Sequence, residues 1–224
     1  MKIKGAIFDM DGTLVDSMML GDILWDEFGT KYLNGVKFVP DEVADKAIRT
    51  MPLREAMEYL HERSGVGASG YDLFVTADEV FRNFYANRVT LKEGAKEFLE
   101  CLYAKGVKMC VASATDPELV HISMKHCGIE KYFSKLFSCG ELGKGKDQPD
   151  VYLMALEFLG TPVEETWVFE DAFVALNTAG QIGMPTVGVY DSHNFDPDKV
   201  AGKATLYVGQ GENLTKLITD GVIG

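Results

Sequence analysis

Two aspartates one residue apart, Asp9 and Asp11 in the run Asp9-Met10-Asp11-Gly12-Thr13, stand at the end of a short apolar segment. At a strand's end residues two positions apart lie on one face, and in the loop that follows the strand they can converge. Converging carboxylates repel and need a divalent cation or a shared proton between them. Mg²⁺ takes oxygen ligands of this kind and keeps positions for water and a substrate phosphate. Asp and Gly also build ordinary turns, so the pentapeptide alone admits a strand-to-helix turn as well as a metal site. It is not a calcium loop: the fifth, seventh and twelfth positions from Asp9 are Thr13, Val15 and Leu20, and the last should be Glu.

Three further places carry chemistry. Ser113-Ala114-Thr115 follows an apolar run, Lys144 and Lys146 precede Pro149-Asp150, and Glu170-Asp171 closes another apolar run. Taken singly, the serine is a turn or cap hydroxyl, the lysines are solvated charges, and the acids favour the start of a helix. Together they recur at successive strand ends, which these separate explanations do not account for.

The elements that would position them are legible from apolar periodicity. Residues 3–8 read as a buried first strand. Residues 93–105 show a helical period that stops at Gly106. Strands are expected at 107–112, 136–138, 167–169, 186–189 and 205–208, and helices at 149–158 and 172–182. Asp116-Pro117 gives an N-cap and a first-turn proline for a helix ending near Gly128. This alternation predicts an α/β fold with a doubly wound, parallel, Rossmann-like sheet, in which ligands bind at the carboxyl ends of the strands. Residues 15–88 break the rhythm: no strand is expected, but helices are at 17–32, 41–48, 53–63 and 71–87. The predicted organisation is a catalytic core of residues 1–14 and 89–224 with a helical cap, residues 15–88, inserted after the first strand.

With 224 residues, 46% apolar and 25% charged, the chain can bury a sizeable core. A formal charge of −12 with no basic stripe excludes a general nucleic-acid binder. Cys101, Cys110, Cys127 and Cys139 show no zinc spacing and are expected as buried reduced thiols, as in a cytoplasmic protein. The first apolar run is too short for a signal peptide, and no run approaches a membrane span. A monomer or weak dimer without nucleic-acid or membrane partners is expected.

The chain resembles the haloacid dehalogenase-like hydrolases, close to their β-phosphoglucomutase-like phosphatase subgroup, over essentially its whole length. Asp9-Met10-Asp11-Gly12-Thr13-Leu14 matches the first motif and Val111-Ala112-Ser113-Ala114 the second. Lys146 with Pro149-Asp150 matches the third, and Val168-Phe169-Glu170-Asp171 with Gly183-Met184-Pro185 the fourth. The resemblance implies a phosphatase of a small phosphorylated metabolite. Asp9 would be the nucleophile that becomes an aspartyl-phosphate, and Asp11 the acid and base. Mg²⁺ would be held by Asp9, the Asp11 main-chain carbonyl and Asp171, with Glu170 nearby. Ser113, the Ala114 amide and Lys146 would bind the phosphoryl oxygens, and Thr13 and Arg54 complete the substrate-binding candidates.

Several residues depart from the family pattern. Asp147 follows Lys146 where proline is usual, which leaves Lys144 as a rival to Lys146. The helix after Glu170-Asp171 opens with Ala172-Phe173-Val174-Ala175. A sugar phosphomutase of this subgroup carries a His shortly after the Asp-Ser that follows strand one; here Asp16-Ser17 leads into Met18-Met19-Leu20-Gly21-Asp22. That difference favours phosphatase over mutase. A phospho-accepting receiver domain shares an acidic pocket, a hydroxyl and a Lys, but not the long insert after strand one. A true haloacid dehalogenase lacks the second aspartate.

Overall fold

The computed structural model describes residues 2–48, 51–194, 196–219 and 221. Its contacts divide the chain into two units, Met1–Met18 with Val89–Gly224, and Met19–Arg88.

The first unit is built on six strands: β1 (Gly5–Phe8), β4 (Lys108–Ser113), β5 (Leu136–Ser138), β6 (Thr166–Glu170), β7 (Thr186–Val189) and β8 (Leu206–Val208). They run in the order β5-β4-β1-β6-β7-β8, and every neighbouring pair is parallel. The expected α/β, Rossmann-like sheet is therefore present, with β1 central and the chain winding outward from it in both directions. Its flanking helices are α5 (Ala95–Ala104), α6 (Pro117–His126), α7 (Cys139–Leu142), α8 (Asp150–Leu159), α9 (Phe173–Ile182), α10 (Pro197–Lys203) and α11 (Lys216–Thr219).

Alternation along the strands separates two cores. Ile7, Cys110, Ala112 and Val168 pack with Val151, Tyr152 and Ala155 of α8 and with Ala175 and Ala179 of α9. On another side Phe8 stacks on Phe169 with ring centroids 4.3 Å apart, and Phe98 of α5 meets both edge-on. These buried rings under the carboxyl ends of β1 and β6 hold the two strand ends in register, Phe8 opposite Phe169.

Two expectations about the segment after β1 are corrected. Val15–Asp16 forms a strand, β2, paired antiparallel with β3 (Thr90–Leu91), although no strand was expected in 15–88. Two residues are too short for a visible alternation. The helix expected from residue 17 begins at Leu20, because Val15–Asp16 is held extended in the β2–β3 pair and the chain turns at residues 18–19 before the helix can start. Strand β4 continues through Ser113, one residue beyond its expected end. Cys110 and Cys139 are buried, but Cys101 and Cys127 are only half-buried, so the expectation of four buried thiols holds for two.

The second unit contains α1 (Leu20–Tyr32), α2 (Glu42–Ile48), α3 (Leu53–Ser64) and α4 (Gly70–Asn87). Leu24, Phe28, Phe38, Met57, Leu60 and Leu73 form its own core. Ser69 caps α4 by accepting from Asp72 N at 3.1 Å, while Asp72 Oδ2 accepts from Ala68 N at 3.1 Å. No described helix is long and apolar enough to cross a membrane.

Candidate active site

The carboxyl ends of β1, β4 and β6 bring three of the sequence motifs to one sheet edge, and the remaining one, Lys146, reaches it from the loop between α7 and α8. After Phe8 the chain turns sharply: Leu14 N and Val15 N both donate to Met10 O, at 2.9 and 3.0 Å. Gly12 makes the turn with φ +75°, and a Cβ there would lie 2.5 Å from Asp171 Oδ2. Only glycine satisfies both the backbone conformation and that approach.

Asp9, Glu170 and Asp171 are the carboxylates that converge, each offering an oxygen within 4.8 Å of the others, and all three are buried. Asp11 does not turn its side chain into this cluster. Its Oδ1 accepts from the Ser17 hydroxyl at 2.6 Å and its Oδ2 from the Thr115 hydroxyl at 2.7 Å. Lys146 stands between Asp9 and Glu170, donating to Asp9 Oδ1 and, at 2.5 Å, to Glu170 Oε1. Lys144 instead pairs with Asp150 in an exposed bridge, so the geometry selects Lys146 of the two. Tyr152 OH, fully buried on α8, donates to Glu170 Oε1 at 3.2 Å.

Other expected site residues fall in different surroundings. Ser113 is buried, and its Oγ accepts from Thr115 N at 3.1 Å. Ala114 is exposed beside it. Thr13 is buried, and its hydroxyl finds no hydrogen-bond partner among the described residues. Arg54 belongs to the second unit, where its guanidinium carbon lies 5.8 Å from the Tyr71 ring centroid.

The electrostatics follow from burial. Burial pushes the Asp9 carboxyl well above the usual carboxylate range; Glu170 adds to the rise, and Lys146 pulls against it. Asp171 is pushed up to about 7, by burial first and Glu170 second. Burial opposes the charge on Lys146, but Asp9 and Glu170 outweigh it and hold the ammonium above its ordinary range. Burial, then Glu170, raises Tyr152 so far that it remains a phenol. Three buried carboxylates thus share one ammonium. An all-oxygen, net-negative, buried donor set suits a hard divalent cation such as Mg²⁺, so the residues present fit that ion.

A family model for haloacid dehalogenase-like hydrolase matches residues 3–183. The chain belongs to this family. It is 27% identical over 208 residues to a phosphorylated carbohydrates phosphatase of Thermotoga maritima, covering 92% of each chain. The same fold occurs in a provisionally assigned β-phosphoglucomutase from Thermotoga maritima, with a TM-score of 0.80, 24% identity and coverage of 99% of this chain and 100% of that one. It also occurs in CbbY from Rhodobacter sphaeroides in complex with phosphate, with a TM-score of 0.77, 20% identity and 96% coverage of both. As a haloacid dehalogenase-like hydrolase, the chain is an enzyme.

Sequence reasoning had no role for Thr115, Tyr152 or Asn194. Thr115 could have been found as a second hydroxyl in the Ser113 motif. Tyr152 lies six residues beyond Lys146, on the apolar face of a helix, and nothing in its local sequence separates it from core. Asn194 donates from Nδ2 to the Asp171 main-chain carbonyl, a contact with no signature in a loop sequence.

Proposed function

We propose that this hydrolase is a Mg²⁺-dependent phosphatase that cleaves a small-molecule phosphate monoester through an aspartyl-phosphate on Asp9. The observation that carries the reading is the buried Lys146 ammonium between Asp9 and Glu170, beside an Asp11 held by two hydroxyls. The name of the Thermotoga maritima relative supports a phosphorylated carbohydrate as the substrate class.

Asp9, Asp171 and Glu170 would hold Mg²⁺, with the Asp11 main-chain carbonyl. When bound, the ion offsets the repulsion between the Asp9 carboxylate and the substrate phosphoryl oxygens. An Asp9 oxygen attacks phosphorus, and the ester P–O bond breaks. Asp11, protonated, gives its proton to the departing alkoxide. Asp11, now a carboxylate, takes a proton from water, which attacks the phosphorus and releases phosphate and free Asp9. Lys146, with the Ser113 hydroxyl and the Ala114 amide, stabilises charge on the transferring phosphoryl oxygens.

Release of inorganic phosphate from a panel of phosphorylated sugars, nucleotides and small organic acids tests this reading. Turnover is expected with Mg²⁺ and is expected to vanish in excess chelator; turnover that survives the chelator overturns it.

A further inference from the structure

Asp191, just past the end of β7, is only 3% exposed, and none of the chemistry above uses it. Its Oδ2 lies 2.7 Å from Lys92 Nζ, which also donates to Tyr190 O at 2.8 Å. Lys92 is the residue that follows β3, and its own N–H donates to Leu14 O at 2.9 Å, on the loop that carries Asp9 and Asp11. On its other side, Asp191 folds the loop after β7 into a closed turn. Asp191 Oδ1 accepts from His193 N at 2.8 Å, and Asp191 O accepts from Asn194 N at 3.2 Å. That turn presents the Asn194 amide, which donates to the Asp171 main-chain carbonyl.

A continuous hydrogen-bonded path therefore runs from Leu14 through Lys92, Asp191 and Asn194 to Asp171. A cavity of about 250 Å³, lined in part by Lys92, Tyr190, Asp191 and Ser192, lies against the ion pair. A buried pair of this kind gains little stability over an apolar replacement, because desolvation of both charges offsets their attraction. What it supplies is direction: one buried carboxylate, bonded to the Lys92 ammonium through Oδ2 and with the His193 Nδ1 3.5 Å from Oδ1, defines where the loop sits.

We propose that Lys92, Asp191 and Asn194 are positioning residues that hold the Asp171 backbone, and with it the Asp171 carboxylate, in register for the cation. The inference rests on the reading that Asp171 is a Mg²⁺ ligand. Groups that orient metal ligands from behind commonly change affinity by about 10- to 100-fold when removed.

Calorimetric titration with Mg²⁺ alone tests it on the full chain, with wild type, Asn194→Ala, Lys92→Met, the double variant and Lys108→Met. Lys108 is a control from the start of β4, at the other end of the sheet, where its ammonium donates to Leu159 O at 2.7 Å. Asn194→Ala and Lys92→Met are each expected to weaken Mg²⁺ binding about tenfold. The double variant is expected to be no more than about twofold weaker than the worse single one, since both act along one path. Lys108→Met is expected to keep wild-type affinity whatever it does to Tm. Asn194→Ala removes no charge, so it carries the test if Lys92→Met does not fold. Affinities within about twofold of wild type in Asn194→Ala, a Lys92→Met that loses Tm but not affinity, or multiplicative losses in the double variant overturn the proposal and leave the phosphatase reading standing. A wild type that binds no Mg²⁺ overturns both.

Discussion

Lys146 reaches across 137 positions of sequence to form a buried ion pair with Asp9. The side chains are 12% and 9% exposed, so the attraction is little weakened by water. The same ammonium holds Glu170. It thereby ties the end of β1 to the end of β6, and its direct ion pairs are with Asp9 and Glu170 while it acts on Asp171 from a greater distance.

Asp9→Asn preserves the shape of the proposed nucleophile and removes its charge. Turnover is expected to fall by about three orders of magnitude or more, because an amide oxygen does not displace an alkoxide from phosphorus. The variant is expected to stay folded, since the Lys146 ammonium keeps Glu170 as its buried carboxylate partner. Phosphate-release kinetics, with circular dichroism to confirm folding, check both parts. Wild-type turnover in this variant would remove Asp9 from the mechanism.

The pH dependence follows from the same buried carboxylates. Burial and Glu170 push Asp171 up to about 7, and burial also shifts Asp9 upward. In the metal-free protein the native state holds protons that the unfolded chain has released. The stabilising protonated form is fully present below the unfolded value and is lost as pH rises toward 7, so metal-free stability is expected to fall over that window. Mg²⁺ binds the deprotonated groups, so its affinity is expected to increase between about pH 6 and 8, with proton release. Denaturation with and without Mg²⁺, and calorimetry in buffers of different ionisation enthalpy, measure the two effects. A metal-free stability that rises over this range contradicts the assignment.

Thr115 and Ser17 hold the two oxygens of Asp11 from opposite ends of the sequence motifs. Thr115→Val removes one donor at nearly constant volume. A misoriented acid and base slows proton transfer more than it weakens binding, so kcat is expected to fall about tenfold with KM nearly unchanged. Thr115→Ser restores the hydroxyl and is expected to restore kcat. A loss confined to KM would place Thr115 on the substrate instead.

How far the sequence carried depends on the length scale of each feature. The parallel sheet was legible because short β-prone stretches such as residues 136–138 and 186–189 alternate with helical patterns, and their limits match the structure. The Asp116-Pro117 helix start was legible because its cap is local: Asp116 accepts from Glu118 N at 2.9 Å. The β2–β3 pair was not, since two-residue strands carry no period. Within the site, residue type identified Asp9, Glu170 and Asp171 as acids, but which carboxylates converge is decided by strand order. That order sets β6 beside β1, which is why Asp9 meets Glu170 and Asp171 while Asp11, two residues on, is drawn to Ser17 and Thr115. Lys92, Asp191 and Asn194 were invisible for the same reason: the bonds that tie Lys92 to Asp191 and Asn194 to Asp171 span 99 and 23 positions.

Hydrolysis and phosphoryl return to a sugar share every core residue named above, so separating them needs a different observable. A mutase keeps its phospho-enzyme from water long enough for the sugar intermediate to take the phosphate back. That requires groups that restrain Asp11 and hold the sugar hydroxyls. Where the mutases of this family carry a His after the Asp-Ser pair, this chain has Met18, Met19 and Leu20 following Asp16-Ser17. Thioethers and an aliphatic side chain give adaptable apolar contact without strong hydrogen bonds to hydroxyls. Incubation with β-glucose 1-phosphate and a trace of the bisphosphate is therefore expected to yield free phosphate and glucose as the main products. Replacing Met19 with His would then be expected to leave phosphate release dominant, because one imidazole does not supply the remaining sugar contacts. Glucose 6-phosphate accumulating much faster than free phosphate in the wild type would mean that the missing imidazole is dispensable, and would make the enzyme a phosphomutase.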